Sequence, residues 1–275
     1  MLFRSERLAA VADAGAQDLS VSVDTLDSSL QDRISGGHGT LEHALRTLGM
    51  ALELMPRGIS LANIVASPHN FAELPRLVRR FGAAGIYTYI TPAVVLEEGA
   101  GSRADYLFRS ADQGFTFGGF SHGARDAIIR ELVTLRRQGW GLTNSTRHLR
   151  DFGRFVATGQ SAWTCASGTF ALDVRPDGSV SACKEKPPLG HILDPGFLSF
   201  YRSGEFQRKA DAQAAGCRGC FYGEYREPSY AIRDRAVLLE WVVDWVRTFR
   251  KGMGWRRSAS SRTECLRSSI LDDRG

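Results

Sequence analysis

The stretch Leu19-Ser-Val-Ser-Val-Asp-Thr-Leu-Asp27 decides the fold class of this 275-residue chain. Its apolar and polar residues alternate as in a half-buried β-strand, and a polar Asp-Thr pair ends the alternation. Residues 3–14 before it and residues 40–55 after it carry apolar positions at helical spacing. Helix, strand and helix in this order predict a β/α unit with a parallel sheet.

The same pattern continues along the first half of the chain. Residues 59–66 and 87–91 resemble further strands, and residues 71–84 between them resemble a helix. Residues 97–120 are rich in Gly and Ser and predict a long loop, and residues 122–138 predict a helix. We therefore expect three parallel strands with helices on one side. Both edges of this sheet are expected to be bare, because no further strand is predicted to pair with them.

The composition changes after residue 160, where short strands, turns and cysteines replace the β/α pattern. The stretch CASGTFALDVRPDGSVSAC runs from Cys165 to Cys183 and contains two alternating segments around a Pro-Asp-Gly turn. A β-hairpin there would bring its two cysteines close together. Downstream, Cys217 and Cys220 form a C-x2-C pair on one tight loop.

These four cysteines are a complete ligand set for a tetrahedral zinc ion or for an iron–sulfur cluster. A zinc ribbon usually pairs two C-x2-C knuckles, whereas Cys165 and Cys183 are much farther apart in the sequence. An iron–sulfur cluster is therefore favoured, with structural zinc and thiols without metal as the alternatives. The chain starts without a signal-peptide pattern, which favours a cytoplasmic protein whose cysteines bind metal rather than form disulfides. Cys265 is expected to take no part.

The composition is that of an ordinary globular protein, with 43% hydrophobic and 24% charged residues. No uninterrupted apolar stretch is long enough to suggest a membrane span, so no membrane partner is expected. The net charge of +5 is concentrated near the C-terminus. Aromatic residues are not interleaved with these basic residues as in a single-strand binder, so no nucleic-acid partner is expected either.

We predict three parts along the chain. Residues 1–158 form the β/α part, residues 159–250 form a small domain with the cysteines, and residues 251–275 form a disordered basic tail. Residues 231–249 predict an apolar helix that packs back on the body of the protein. Its apolar positions are Val237, Leu238, Trp241, Val242 and Trp245.

Taken in order, the segments of the first part resemble the second half of the barrel of radical SAM enzymes. Leu19–Asp27 with the following residues 32–40 is similar to the fourth strand and the helix after it. Residues 59–75 are similar to the fifth strand and the start of its helix, and residues 85–91 to the sixth strand. The resemblance covers about residues 3–225 when the cysteines are included.

The cysteines resemble the SPASM/Twitch extension of that family, which holds an auxiliary [4Fe–4S] cluster. The matching motif is C-x12-G-x4-C, formed by Cys165, Gly178 and Cys183, with the C-x2-C pair downstream. The spacing is closest to the single-cluster Twitch form, as in the dehydrogenase of aminocyclitol antibiotic biosynthesis. Longer SPASM members carry a further cysteine where this chain has Arg226, which argues against a second cluster. The implied α/β fold is a partial (β/α) radical SAM-type barrel followed by a small α+β SPASM/Twitch-like domain.

The resemblance also implies binding residues in the barrel part. Ser22 and Asp24 would contact the ribose and methionine parts of S-adenosyl-L-methionine (SAM), at the carboxyl end of a parallel strand. A helix-capping role for Asp24 is the alternative. Asn63, a polar residue in an apolar strand, is expected to face the barrel interior and contact SAM or substrate. Of the histidines, His191 is expected to be structural and His148 to lie at the surface or in a cap.

The family implies radical hydrogen abstraction or oxidation of a small molecule or peptide, with the auxiliary cluster accepting an electron. However, the C-x3-C-x2-C motif that holds the SAM-cleaving cluster does not occur in this sequence, nor does the Gly-Gly-Glu segment that contacts SAM. We therefore expect this chain alone not to start the reaction, and whether it acts as an enzyme stays open. An N-terminal truncation, or a partner protein that completes the barrel, would explain the missing half. The alternative function is a non-catalytic iron–sulfur or zinc module that docks onto a partner protein.

Overall fold

The structure is a computed structural model that describes residues 5–56, 58–93, 119–158, 163–215 and 220–254. It is a mixed α/β protein in which helices predominate. The chain divides into two compact units. Among the described residues, unit 1 comprises those within 5–93, 119–149 and 239–254, and unit 2 comprises those within 150–238. No helix within the described ranges is both long and apolar enough to cross a bilayer.

The first helices and strands follow the predicted order. They are α1 (Ser5–Asp13), β1 (Leu19–Ser22), α2 (Ser28–Ser35), α3 (Thr40–Leu54), β2 (Ser60–Ala66), a 3-10 turn (Phe71–Glu73), α4 (Leu74–Ala83), β3 (Tyr87–Pro92), α5 (His122–Gln138) and α6 (Thr146–Thr158). The three strands form one parallel sheet in the order β1-β2-β3. The predicted parallel sheet is therefore confirmed.

One face of this sheet is buried and the other is partly open. Ala62, Ile64 and Ile90 are at most 1% exposed on the face that α3 and α4 cover. The helices contribute large apolar side chains to this core: Leu41, Leu48, Leu74, Leu77 and Phe81. The alternate residues of the strands are partly or fully exposed, so the opposite face offers a surface for further contacts.

The expectation that both sheet edges are bare is wrong for β3. The segment Gly141–Asn144 runs along its outer edge and forms an isolated parallel bridge at Thr88. The side-chain amide of Asn144 completes the pairing, since its Oδ1 accepts from the Ile90 backbone N–H at 2.8 Å and its Nδ2 donates to the Ile90 carbonyl at 2.9 Å. Among the described residues, no strand pairs with the outer edge of β1.

The remaining elements belong to unit 2, except for the last helix, which runs from unit 2 into unit 1. They are α7 (Ser167–Phe170), β4 (Asp173–Val174), β5 (Ser179–Ser181), β6 (Gly190–His191), α8 (Phe197–Arg202), α9 (Glu205–Ala215), α10 (Gly223–Arg233) and α11 (Arg235–Gly254). The predicted hairpin exists, because β4 and β5 pair antiparallel around the Pro-Asp-Gly turn. Val180, Phe206 and Ala210 form its core.

The first arm of that hairpin is shorter than predicted. Ser167–Phe170 forms a helical turn rather than a strand. This turn lies so close to α9 that a Cβ on Gly168 would come within 2.4 Å of the Ala210 Cβ. Gly168 therefore permits a close helix contact, which the alternating pattern did not indicate.

The predicted packing of the C-terminal helix is also wrong. Val237 is buried, but Leu238 and Trp245 are 49% and 68% exposed. The part of α11 that belongs to unit 1 carries Asp244, whose carboxylate pairs with the buried guanidinium of Arg136 at 2.5 Å. An ion pair, and not the apolar face, thus holds this part of α11. Residues 255–275 of the predicted tail and residues 97–118 of the predicted loop lie outside the described residues.

Gly178 provides a test of the hairpin. Its φ is +84°, and a Cβ there would lie 2.6 Å from the ring of His191. Replacing Gly178 with Ala should lower the free energy of unfolding by at least about 1–2 kcal/mol, because an L side chain is strained at positive φ and also collides with the imidazole. Urea denaturation followed by circular dichroism measures this loss.

The matched control is Gly123→Ala in α5, where the added Cβ meets nothing within 4 Å. This variant should be as stable as the parent or slightly more stable, since Ala favours a helix over Gly by about 0.5–1 kcal/mol. Equal stability of the two variants would contradict the role assigned to Gly178.

Candidate metal centre

Three of the four predicted ligand cysteines pack against the same buried cluster of side chains. Cys220 and Tyr225, which are 7% and 6% exposed, form the cluster, and Cys165 and Cys183 pack against it. Cys165 precedes α7, Cys183 follows β5 and Cys220 precedes α10, so three separate segments contribute them. The predicted approach of Cys165 and Cys183 agrees with this arrangement. Cys217 lies outside the described residues.

Backbone N–H groups point at two of the sulfurs. The Ser167 N–H donates to Cys165 Sγ at 3.4 Å, and the Glu185 N–H donates to Cys183 Sγ at 3.5 Å. In both cases the donor lies two residues after the cysteine, in the turn that follows it. Hydrogen bonds to the ligand sulfurs are one of the means by which proteins tune iron–sulfur clusters.

The three described cysteines suit a thiolate site, because each offers a sulfur atom. The apolar side chains of Trp163 and Ala171 pack against the same cluster. Within the described ranges, no three side chains of His, Cys, Asp or Glu form a metal-binding group. The candidate site is therefore a set of three cysteines that share one buried cluster of side chains.

Two tyrosines form part of this wall. Tyr222 donates from its hydroxyl to Glu185 Oε1 at 3.0 Å, and the Tyr225 hydroxyl accepts from the Lys184 backbone N–H at 3.1 Å. Burial raises the pKa of both phenols, and the negative charges of Glu185 beside Tyr222 and of Cys183 beside Tyr225 raise it further. Both phenols therefore stay neutral and add no competing anion beside the cysteines.

Arg226 was predicted only as the position that lacks a further cysteine, and its structural role was missed. Its side chain is wholly buried, and the guanidinium stacks 3.7 Å from the centre of the Phe221 ring. Its Nη1 donates to the Cys220 carbonyl at 3.2 Å, and Trp163 Nε1 donates to the same oxygen at 2.9 Å. Arg226 and Trp163 thus fix the backbone of one predicted ligand.

A buried counter-ion offsets the charge of Arg226. Its Nη2 lies 3.4 Å from Asp151 Oδ2, and its Nε donates to the Tyr230 hydroxyl at 2.7 Å. The Tyr230 hydroxyl in turn donates to Asp151 Oδ2. Burial raises the pKa of Tyr230, so the phenol keeps the proton that it donates. The three side chains form a closed network behind Cys220.

His191 lies on β6, which pairs with β5, and makes no described contact with a cysteine. Its Nε2 lies 2.7 Å from the Asp177 carbonyl, and its Nδ1 accepts from the Leu193 N–H at 3.2 Å. Since Nδ1 accepts, Nε2 carries the proton and donates to Asp177. These contacts agree with a structural role.

In unit 1, two of the predicted SAM-binding residues lie in one row across the sheet. Ser22 pairs in register with Asn63, and Asn63 pairs with Tyr89. All three lie on the partly open face, where Ser22 is exposed and the other two are half-buried. Tyr89 was not predicted, although its alternation with the buried Ile90 would have placed it on this face.

Asp24 occupies a different position. It is buried, its Oδ1 accepts from the Val65 N–H at 2.7 Å, and its carbonyl accepts from Asn70 Nδ2 at 2.7 Å. It therefore extends the pairing of β1 with β2 beyond Ser22. It does not cap α2, because Asp27 does so by accepting from the Leu30 N–H. Burial raises the pKa of Asp24, and the hydrogen bond from Val65 partly offsets this effect.

The sequence places His148 at the surface or in a cap. Its side chain is buried, so the expected surface position is wrong. Its Nδ1 lies 3.4 Å from the Tyr89 hydroxyl, and the two rings pack edge to face at 5.6 Å. The histidine thus supports the tyrosine at one end of the Ser22–Asn63–Tyr89 row. No spacing in the sequence indicated this pair.

The network behind Cys220 predicts a large loss of stability in Arg226→Leu. This substitution removes the buried cation of Asp151 and leaves it only the exposed Arg154, and breaking a buried pair costs about 3–5 kcal/mol. Arg154→Leu is the matched control, because Arg154 pairs with the same carboxylate at 3.3 Å but is 57% exposed. Its loss should cost less than about 1 kcal/mol. Urea denaturation measures the free energy of unfolding of both variants. Equal losses of stability would contradict the role of Arg226.

Compared with known proteins, the chain matches no family model and no curated protein in sequence. Its function is therefore inferred from its own residues and their arrangement.

Proposed function

We propose that the chain is an iron–sulfur protein of the radical SAM type that carries an auxiliary [4Fe–4S] cluster on Cys165, Cys183, Cys217 and Cys220. The observation that supports this most strongly is the packing of three of these cysteines against one buried cluster around Tyr225. They come from three segments that are far apart in sequence. A shared metal ligand would explain why cysteines from three segments pack against one cluster. Cysteines that only fill a hydrophobic core would not have to share a position.

The sequence spacing favours a cluster over zinc, and the N–H donors to sulfur suit either thiolate site. When bound, such a group takes up or releases one electron, and four cysteine ligands leave no iron open to substrate. The residues of the chain hold it and exclude water from it. Trp163, Tyr222 and Tyr225 supply the apolar wall, and Arg226 fixes the backbone of Cys220.

The role of unit 1 in this proposal is to bind SAM or a substrate on the open face of its sheet. Ser22, Asn63 and Tyr89 offer hydroxyl and amide groups in one row there. The proposed parent reaction is hydrogen abstraction from, or oxidation of, a small molecule or peptide. The 275 residues hold no C-x3-C-x2-C motif, so this chain needs three cysteines from elsewhere to cleave SAM.

A second candidate is a non-catalytic iron–sulfur or zinc module that docks onto a partner. The absence of the C-x3-C-x2-C motif from the 275 residues favours it, because a module of this kind does not need the SAM-cleaving cluster. Both candidates share the cysteine site and differ in whether SAM is used.

The cluster is tested by anaerobic reconstitution of the full chain with iron and sulfide. We expect about four irons and about four sulfides per chain, as for a [4Fe–4S] cluster with four thiolates. Cys183→Ala should lose most of the bound iron because it removes a ligand. Iron, acid-labile sulfide and zinc are measured on the same samples.

Cys265→Ala is the matched control and should keep the full iron content. Stoichiometric zinc without iron, in protein produced with ample iron, would overturn the cluster and support a zinc site. Equal iron in the Cys183 and Cys265 variants would remove Cys183 from the ligand set.

The catalytic part is tested with SAM and dithionite. The reconstituted chain should form no 5′-deoxyadenosine above background, since reductive cleavage needs an iron with an open position. Product is measured by chromatography with the Cys183→Ala variant alongside. Formation of 5′-deoxyadenosine that depends on Cys183 would show that these cysteines hold the SAM-cleaving cluster instead.

A further inference from the structure

Helix α11 turns its acidic residues inward. Asp244 pairs with Arg136 at 2.5 Å, and Glu240 Oε2 accepts from the Thr146 backbone N–H at 2.8 Å. Arg136 is only 6% exposed, so the interaction takes place inside unit 1. Both carboxylates of the helix are thereby engaged within the protein.

The outward side of the same helix is apolar. Leu239, Val242 and Trp245 are 63%, 50% and 68% exposed and follow one another at a spacing of three residues. Trp241 and Val243 flank them and are 36% and 38% exposed. Residues three and four apart lie on one side of a helix, so these side chains form a continuous exposed stripe. Such a stripe on a folded protein indicates a contact surface.

The charge that accompanies this stripe is positive. After Asp244, residues 245–263 contain six basic residues and no acidic one. The basic residues are Arg247, Arg250, Lys251, Arg256, Arg257 and Arg262. The sequence from the stripe onward therefore supplies cations, while both anions of α11 are paired within unit 1.

We propose that this stripe, made of Leu239, Val242 and Trp245 with the flanking Trp241 and Val243, binds the surface of an anionic lipid bilayer. Apolar and tryptophan side chains on one face of a helix enter the boundary between headgroups and acyl chains, and nearby Lys and Arg attract the lipid phosphates. Tryptophan suits this boundary because its ring is apolar and its N–H needs a polar partner. This proposal replaces the expectation of no membrane partner.

A second copy of the chain fits the stripe less well. Two copies that pack through this face bring two positively charged C-terminal regions together, and like charges in an interface oppose association. An anionic bilayer has the complementary sign for the same residues. The charge pattern thus selects the lipid surface.

The test is co-sedimentation of the full chain with vesicles of phosphatidylcholine alone or of phosphatidylcholine with phosphatidylglycerol. Binding is expected only with the anionic lipid and should weaken as salt is raised, because salt screens surface charges. The double variant Leu239→Gln/Trp245→Gln should bind more weakly by roughly tenfold for each side chain, since each loses the free energy of leaving water.

Leu193→Gln is the matched control, because Leu193 is 80% exposed but lies outside α11. It should bind anionic vesicles like the parent chain, and circular dichroism should show that both variants are folded. Three outcomes overturn the proposal: equal binding to neutral vesicles, no binding to anionic vesicles, and unchanged binding of the double variant. Self-association that the double variant abolishes, without vesicle binding, would assign the stripe to a second copy.

Discussion

The buried guanidinium of Arg226 is the constraint on which the candidate site depends. A cation with no exposed surface must be paired, and here Asp151 and Tyr230 provide the partners. The same guanidinium donates to the Cys220 carbonyl, so the ion pair also fixes the position of this cysteine. Loss of the pair would therefore move a predicted ligand as well as destabilise unit 2.

The three described cysteines differ in burial. Cys220 is buried, whereas Cys165 and Cys183 are partly exposed beside short turns. The carbonyls of Cys220 and of Cys183 each accept two hydrogen bonds. Because Asp151 already neutralises Arg226, the Cys220 side does not need a bound anion to be stable.

Periodicity predicted the parts of the fold that depend on local pattern. It gave α5 with the bounds that the structure shows and all three parallel strands. It did not show how the β3 edge is covered, since Asn144 uses its side-chain amide in place of a strand. It also assigned the wrong side of α11 to the core. The number of apolar residues does not reveal that Arg136, more than one hundred positions away in the sequence, pairs with Asp244.

The residues predicted to bind SAM illustrate the same division between buried charge and exposed polar groups. The buried Asp24 carboxylate accepts a hydrogen bond from the Val65 N–H, so Asp24 holds β1 against β2. Ser22 and Asn63 lie on the open face and keep groups that can reach a ligand. In both units, then, the buried charged side chains position the backbone. In the proposed function, contact with a ligand falls to residues that carry no permanent charge, namely the thiols of unit 2 and the hydroxyls and amide of unit 1.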